Sequence, residues 1–135
     1  MKDVLVSIVM VTNLILLCIL NTRKLSLFDI VFVLICIITQ WMALFGIYYN
    51  KPHITTISHY GFGFGTIIGS LLVDDRSILI LLFTLLTITG TIRYIKGECM
   101  YDSVDGGFNC NHTIQPYVYV YIIPYIIILF RLFCL

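Results

Sequence analysis

The sequence predicts an all-α membrane protein, an up-and-down bundle of four to five transmembrane helices formed by residues 1–135 as one multi-pass domain. The chain is 60% hydrophobic and only 11% charged, whereas a soluble domain carries about a quarter charged residues. Five apolar segments have the length of roughly 17–25 residues that a helix needs to cross a bilayer. Short polar breaks between them favour antiparallel neighbours. The segments are residues 4–20, 27–49, 54–73, 78–95 and 117–135, with a polar loop at 96–116.

The first two segments read as simple spans. Segment 1 follows Lys2 and lacks a small-residue cleavage site, since the chain continues "CILNTRK", so we expect it to be retained and not removed as a signal peptide. Segment 2 begins near Asp29, which faces a favourable helix dipole in the first turn. Gln40 lies in the middle of segment 2, where an amide is expected to bond to another helix.

Segment 3 contains the stretch "SHYGFGFGTIIGS" and is the least apolar of the five. On a helix, Gly61, Gly65 and Gly69 fall along one stripe at a spacing of four, and Ser58 continues it. This doubled G-x-x-x-G pattern, a glycine zipper, is typical of close contacts between membrane helices. We therefore predict a helix-packing face here, with a re-entrant or buried element as the alternative to a full crossing.

A polar groove is predicted beside the glycine stripe, because three polar side chains lie on the adjoining arc of the helix. His59 is the key member, since an ionisable residue within an apolar segment is costly to bury and is a functional candidate by default. A neutral imidazole bonded to a neighbour is the simpler interpretation. The predicted groove residues are His59, Thr66 and Ser70, with Gln40 from segment 2.

Residues Gly61, Phe62 and Gly63 resemble the G-[YF]-G core of the potassium-channel filter, which uses backbone carbonyls to coordinate the ion. The resemblance is confined to these three residues. His59 and Tyr60 stand where that family has threonines, and Phe64 stands where it has an acidic or amide residue.

Segments 4 and 5 carry further packing signals. Thr84, Thr87 and Thr91 form a small polar stripe at helical spacing, a predicted packing face and a candidate partner of the glycine stripe. Pro124 is expected to kink segment 5, because proline removes a backbone hydrogen bond.

The polar loop at 96–116 contains features that indicate the orientation of the chain in the membrane and the redox state of its compartment. Cys99 and Cys110 share it and could pair in an oxidising compartment, and Asn111 begins the sequon "NHT". Both features favour a lumenal loop and, with five spans, a lumenal N-terminus. The positive-inside rule does not decide the orientation, since four basic residues fall on each side. No metal site is predicted, because C-x10-C-x-H matches no compact zinc pattern.

The function predicted from these observations is that of a structural, assembly or accessory subunit, acting through helix–helix packing. Its expected partners are the lipid bilayer and other membrane proteins or itself; a net charge of +1 gives no basic footprint for nucleic acid. We predict no cofactor and no catalytic residue, since the chain has no H-E-x-x-H, G-x-S-x-G or P-loop.

Two alternatives remain open at this stage. The first is a small oligomeric ion channel or viroporin-like pore lined by His59, Thr66 and Ser70. The second is a membrane enzyme on a lipid substrate with His59 as base. The sequence predicts an integral membrane location without naming the membrane; the Ile-, Tyr- and Asn-rich composition suits an AT-rich genome such as that of a virus, which would mean a host endomembrane or virion membrane.

Overall fold

The computed structural model describes residues 1–97, 99–101 and 118–134. This part of the chain is a bundle of helices and contains no strand, so the predicted all-α fold is confirmed. A π-helical turn precedes the last helix. The elements are α1 (Lys2–Thr22), α2 (Leu27–Tyr48), α3 (Pro52–Leu72), α4 (Arg76–Lys96), the π-helical turn (Val118–Ile122) and α5 (Ile123–Cys134).

Local sequence signals explain where the helices begin and end. The Ser26 side chain accepts the N–H of Asp29 at the start of α2, and Asp75 accepts two N–H groups from the first turn of α4, as good N-caps do. Pro52 occupies the first position of α3, where its missing N–H costs nothing. Gly97 ends α4 with a φ of 72°, a conformation that glycine adopts without steric penalty.

Consecutive helices run antiparallel, and contacts at their ends show it. Gly46, near the end of α2, approaches α3 so closely that a Cβ there would lie 2.9 Å from the backbone nitrogen of Thr55. At the other end, Asp29 in the first turn of α2 accepts the N–H groups of Asp74 and Asp75, between α3 and α4, at 3.0 and 3.1 Å. The starts of α2 and α4 therefore lie at the same end, and α3 runs the whole distance between the two ends.

Helix α5 runs parallel to α3 and antiparallel to α4. The Arg131 guanidinium donates to the Ser70 carbonyl at 2.9 Å, and Arg76 donates to the Leu132 carbonyl at 3.0 Å. We call this end of the bundle, where α1, α3 and α5 finish, the ion-pair end. The opposite end, where α1 and α3 begin, is the histidine end.

The irregular turn before α5 coincides with the predicted effect of Pro124. Proline has no N–H to offer the carbonyl of Val120, four residues earlier. The Thr66 hydroxyl of α3 lies 3.5 Å from that carbonyl oxygen. The π-helical turn therefore lies where the sequence predicted a departure from regular helix.

The bundle has the polarity expected in lipid. Its outer surface carries many large apolar side chains, among them Leu27, Trp41 and Phe64, whereas Thr55 and Ser58 are buried inside. Among the described residues, three helices, α1, α2 and α4, are long and apolar enough to cross a membrane. The chain is therefore a small membrane protein.

Candidate functional site: a lateral cavity and the histidine cluster

Polar side chains of α2 and α3 meet the segment that follows α4 at the histidine end. His59 is buried, with its ring stacked on that of Tyr101 at a centroid distance of 4.5 Å and with Nε2 3.4 Å from Cys99 Sγ. The Ser58 hydroxyl donates to the Thr39 carbonyl at 3.0 Å and lies 3.3 Å from the Tyr101 hydroxyl. The Ser58 hydroxyl has one proton and donates it to the Thr39 carbonyl, so in the hydrogen bond between Ser58 and Tyr101 the Tyr101 hydroxyl is the donor.

Residues 99–101 cover the histidine end of the bundle. Cys99, Met100 and Tyr101 are buried in a cluster that includes Leu5 of α1 and Ala43 of α2. From the sequence, Cys99 was placed in a polar loop and Tyr101 was given no role. Three buried residues, 99–101, are too short a run among polar residues to show a helical or strand periodicity. The resulting thiol–imidazole contact can share or exchange a proton.

A cavity of about 430 Å³ lies between α1, α2, α3 and α4. Residues 99–101 line it at the histidine end, and Phe28, Ile78 and Leu82 line it toward the ion-pair end. The described lining residues are mostly apolar, and none of them is charged. Their polar members include Thr12, Thr39, Gln40, Ser58, Thr66 and Thr89.

The cavity opens sideways between α2 and α3. These helices touch where a Cβ at Gly61 would lie 2.5 Å from Thr39 Cγ2, and again where one at Gly69 would lie 2.6 Å from Phe32 Cζ. Between these contacts, a Cβ at Gly65 would meet nothing within 4 Å. The neighbouring side chains both line the cavity and are exposed on the outside of the bundle; they are Phe28, Val31, Ile35, Phe64 and Ile68.

No family model matches this chain, and the comparisons with curated proteins and with solved structures find no match.

The predicted glycine stripe divides into two kinds of position. Gly61 and Gly69 lie against α2, but the atoms that they contact there belong to side chains and not to the backbone. Gly69 also approaches the Leu82 side chain of α4. Gly65 borders the cavity opening. Gly63, which lies off the stripe, faces Val120 of the π-helical turn with its Cβ position 3.7 Å from Val120 Cγ2.

The threonine stripe of α4 faces away from the glycine stripe, contrary to the expected pairing. Thr84, Thr87 and Thr91 are exposed, and the first two donate to carbonyls one turn earlier in α4. The buried face of α4 carries Thr89 and Gly90 instead. A packing role for the threonine stripe stays a prediction, and it would require a contact outside the chain.

The predicted polar groove does not come together as one site. Thr66 and Gln40 line the cavity, and His59 belongs to the cluster with Cys99. Ser70 lies near the ion-pair end, where its hydroxyl donates to the Ile67 carbonyl at 2.8 Å. The proposed disulfide partner Cys110 and the sequon residue Asn111 lie outside the described residues.

A second polar cluster, at the ion-pair end, was not predicted as such. Asp29, only 2% exposed, holds the turn between α3 and α4 through two backbone N–H groups. Asp75 also pairs with Arg23 at 3.1 Å, and Asp74 pairs with Arg131 at 3.5 Å. This cluster lies at the opposite end of the bundle from His59, and its contacts hold together one end of each of the five helices.

Proposed function

We propose that this chain is a five-span integral membrane protein that acts as a structural, assembly or accessory subunit by helix packing. The observation that supports the proposal is the distribution of polar and apolar side chains in the bundle. Polar groups such as Asp29 and Ser58 form hydrogen bonds between its own helices, and large apolar side chains dominate the outer surface. Such a body is suited to lie in the bilayer and to pack against another membrane protein or a second copy.

The helix directions support five crossings. Since α2 and α4 are apolar enough to span and both begin at the ion-pair end, the 21-residue α3 has to return through the membrane between them. Its length of about 31 Å, at 1.5 Å per residue, matches the hydrocarbon thickness. Its polar residues are tolerated because they face the interior. The π-helical turn and α5 together cover residues 118–134, antiparallel to α4, and we assign the fifth span to them.

We expect single cysteines at Lys24 and Asp74 to be labelled from one side of sealed vesicles and a cysteine at Lys51 from the other. The physical reason is that α3 separates Lys51 from Asp74 by the thickness of the bilayer. The test is labelling by a membrane-impermeant maleimide, with the labelling of the parent chain, which has cysteines of its own, subtracted as background. Labelling of Lys51→Cys and Asp74→Cys from the same side would contradict a crossing by α3.

The outward threonines of α4 are the best candidates for the packing contact. The glycines that make close contacts are already used inside the chain, against Thr39 and Phe32. On α4, Thr84, Thr87 and Thr91 expose small side chains on an otherwise bulky surface. Small residues let two membrane helices approach closely.

We expect the chain, extracted from its native membrane in mild detergent, to migrate in a complex larger than a monomer. Thr87→Phe should lower the association constant about fivefold, which corresponds to a loss of roughly 1 kcal/mol, because the larger ring keeps the helices apart. Ser7→Phe, on the exposed face of α1, is the matched control and should have no effect. Monomeric migration of the parent chain would contradict the proposal.

The two alternatives receive less support. A pore lined by His59, Thr66 and Ser70 would need these residues in one passage, and only Thr66 lines the cavity. An enzyme with His59 as base would need a polar partner; Cys99 provides one at 3.4 Å, while Asp29 lies at the opposite end of the bundle. Both stay predictions.

A further inference from the structure

We propose that the cavity between α1, α2, α3 and α4 binds one neutral, single-chain lipid that carries a hydroxyl group. The lipid enters sideways from the bilayer, through the opening at Gly65. This inference does not depend on the association proposed above, because it concerns the interior of a single chain.

The route of entry follows from where α2 and α3 touch. Their contacts at Thr39–Gly61 and Phe32–Gly69 frame a gap, and at Gly65 a Cβ would have no packing neighbour within 4 Å among the described residues. The rim of this gap belongs to the apolar outer surface of the bundle. In a bilayer, that surface is in contact with lipid chains, so the molecules that can reach the cavity through the gap are membrane lipids.

The dimensions of the cavity fit one chain. Its lining extends along α2 from Phe28 to Gln40, which is about 18 Å for twelve residues at a rise of 1.5 Å each. Its volume of about 430 Å³ is near the lower end of the range of about 300–1,000 Å³ for small-molecule sites. A long and narrow space of this size favours a single hydrocarbon chain over a two-chain phospholipid.

The uncharged lining that the described residues provide favours a neutral ligand. Among the described residues that line the cavity there is no Asp, Glu, Lys, Arg or His. Burying an unpaired charge in such surroundings is far more costly than burying a neutral polar group. A carboxylate or phosphate headgroup would therefore be rejected from the cavity itself.

The polar lining atoms are mostly acceptors, which favours a ligand with a donor. Thr12, Thr66 and Thr89 each donate their hydroxyl proton to a carbonyl of their own helix, so only their lone pairs remain to be used. Gln40 lines the same cavity, and its buried Oε1 has no hydrogen-bond partner among the described residues. A hydroxyl group on the lipid can donate to such an acceptor, and a plain hydrocarbon cannot.

The test uses a photoreactive, alkyne-tagged analogue of 1-hexadecanol with the purified chain in phosphatidylcholine nanodiscs. We expect crosslinks within α2 and α3 at residues that line the cavity. Unlabelled 1-hexadecanol or 1-oleoylglycerol should compete with the probe. Hexadecyl phosphate, which has the same chain and an anionic head, should compete at least about tenfold less well, since none of the described lining residues carries a positive charge.

Two variants separate cavity binding from general lipid contact. Gly65→Leu adds a side chain where the structure has open space, and it should reduce crosslinking about tenfold, since it fills the entry. Ser7→Leu adds the same side chain on the exposed face of α1 and should leave crosslinking unchanged. Gln40→Leu should lower binding of the alcohol about fivefold relative to a matching photoreactive alkane, because it removes an acceptor and keeps the volume.

The proposal is overturned if Gly65→Leu, folded as judged by its thermal unfolding, crosslinks as strongly as Ser7→Leu. It is also overturned if hexadecyl phosphate competes as well as 1-hexadecanol. Should Gly65→Leu fail to fold, the comparison of alcohol with alkane in Gln40→Leu decides: an unchanged preference for the alcohol contradicts the proposed site. A chain that is monomeric yet binds the probe would leave this inference standing and reject the association proposal.

Discussion

Asp29→Ala is expected to lower the free energy of unfolding by about 3–5 kcal/mol, since it removes two hydrogen bonds to a charged group at roughly 1.5–3 kcal/mol each. The carboxylate is buried and accepts the N–H groups of Asp74 and Asp75 at 3.0 and 3.1 Å. Alanine would leave both donors without this partner at the turn between α3 and α4. Because the same turn positions Asp75, which caps α4 and pairs with Arg23, the loss should spread to neighbouring contacts.

The measurement is the unfolding of the purified chain in detergent, followed by circular dichroism with increasing denaturant. Asp29→Asn should lose about half as much as the alanine variant, because the amide keeps one acceptor and presents a donor to the second N–H group. Asp3→Ala changes an exposed aspartate in the first turn of α1 and should stay within about 0.5 kcal/mol of the parent. Equal stability of Asp29→Ala and Asp3→Ala would show that the turn does not depend on this carboxylate.

The helices themselves could be predicted from the sequence, since apolar runs bounded by short polar breaks carry a strong signal. The bounds of α1 to α4 lie within two residues of the first four apolar segments; segment 3, for example, is residues 54–73, and α3 is Pro52–Leu72. The polar breaks contain the caps themselves, such as Ser26 and Asp75. Local chemistry of this kind does not depend on how the helices pack.

Which face of a helix meets which neighbour was less predictable. The glycine stripe of α3 was identified, but the glycine whose Cβ position comes within 2.9 Å of backbone in the facing helix is Gly46, a single glycine with no repeated spacing. The threonine stripe of α4 was predicted as a packing face and a candidate partner of the glycine stripe, and Thr84 and Thr87 are exposed on the outside of this chain. Periodicity finds a stripe of small residues, and it does not say whether the stripe faces a helix, a cavity or lipid.

The two polar clusters depend on contacts between residues far apart in the chain, which a single sequence does not reveal. Asp29 was interpreted from its own helix dipole, and its partners lie 45 and 46 residues later. His59 was correctly singled out as a buried ionisable residue, but its neighbours Cys99 and Tyr101 come 40 and 42 positions later in the chain. The composition of a segment identifies the buried residue, and only the fold identifies its partner.

Substituting alanine along the glycine stripe of α3 should change stability in opposite directions at neighbouring positions. Gly69→Ala would bring a Cβ within 2.6 Å of Phe32 Cζ and 2.7 Å of Leu82 Cδ1. Both side chains are buried and have little room to move, so we expect a loss of about 1–3 kcal/mol, as for other overpacked sites. Gly61→Ala would meet Thr39 Cγ2 at 2.5 Å, on a β-branched side chain with restricted χ1, and should lose a similar amount.

Gly65→Ala should instead raise the free energy of unfolding by about 1 kcal/mol, because alanine is the better helix former and its methyl group meets no atom within 4 Å. The same unfolding measurement in detergent compares the three variants with the parent chain. Gly63→Ala, whose Cβ would make ordinary contact with Val120 at 3.7 Å, is a control for substitution in the same helix and should be neutral or slightly stabilising. A uniform loss at all three stripe positions would mean that Gly65, too, packs tightly against a neighbour, and the lateral opening on which the lipid site depends would then be closed.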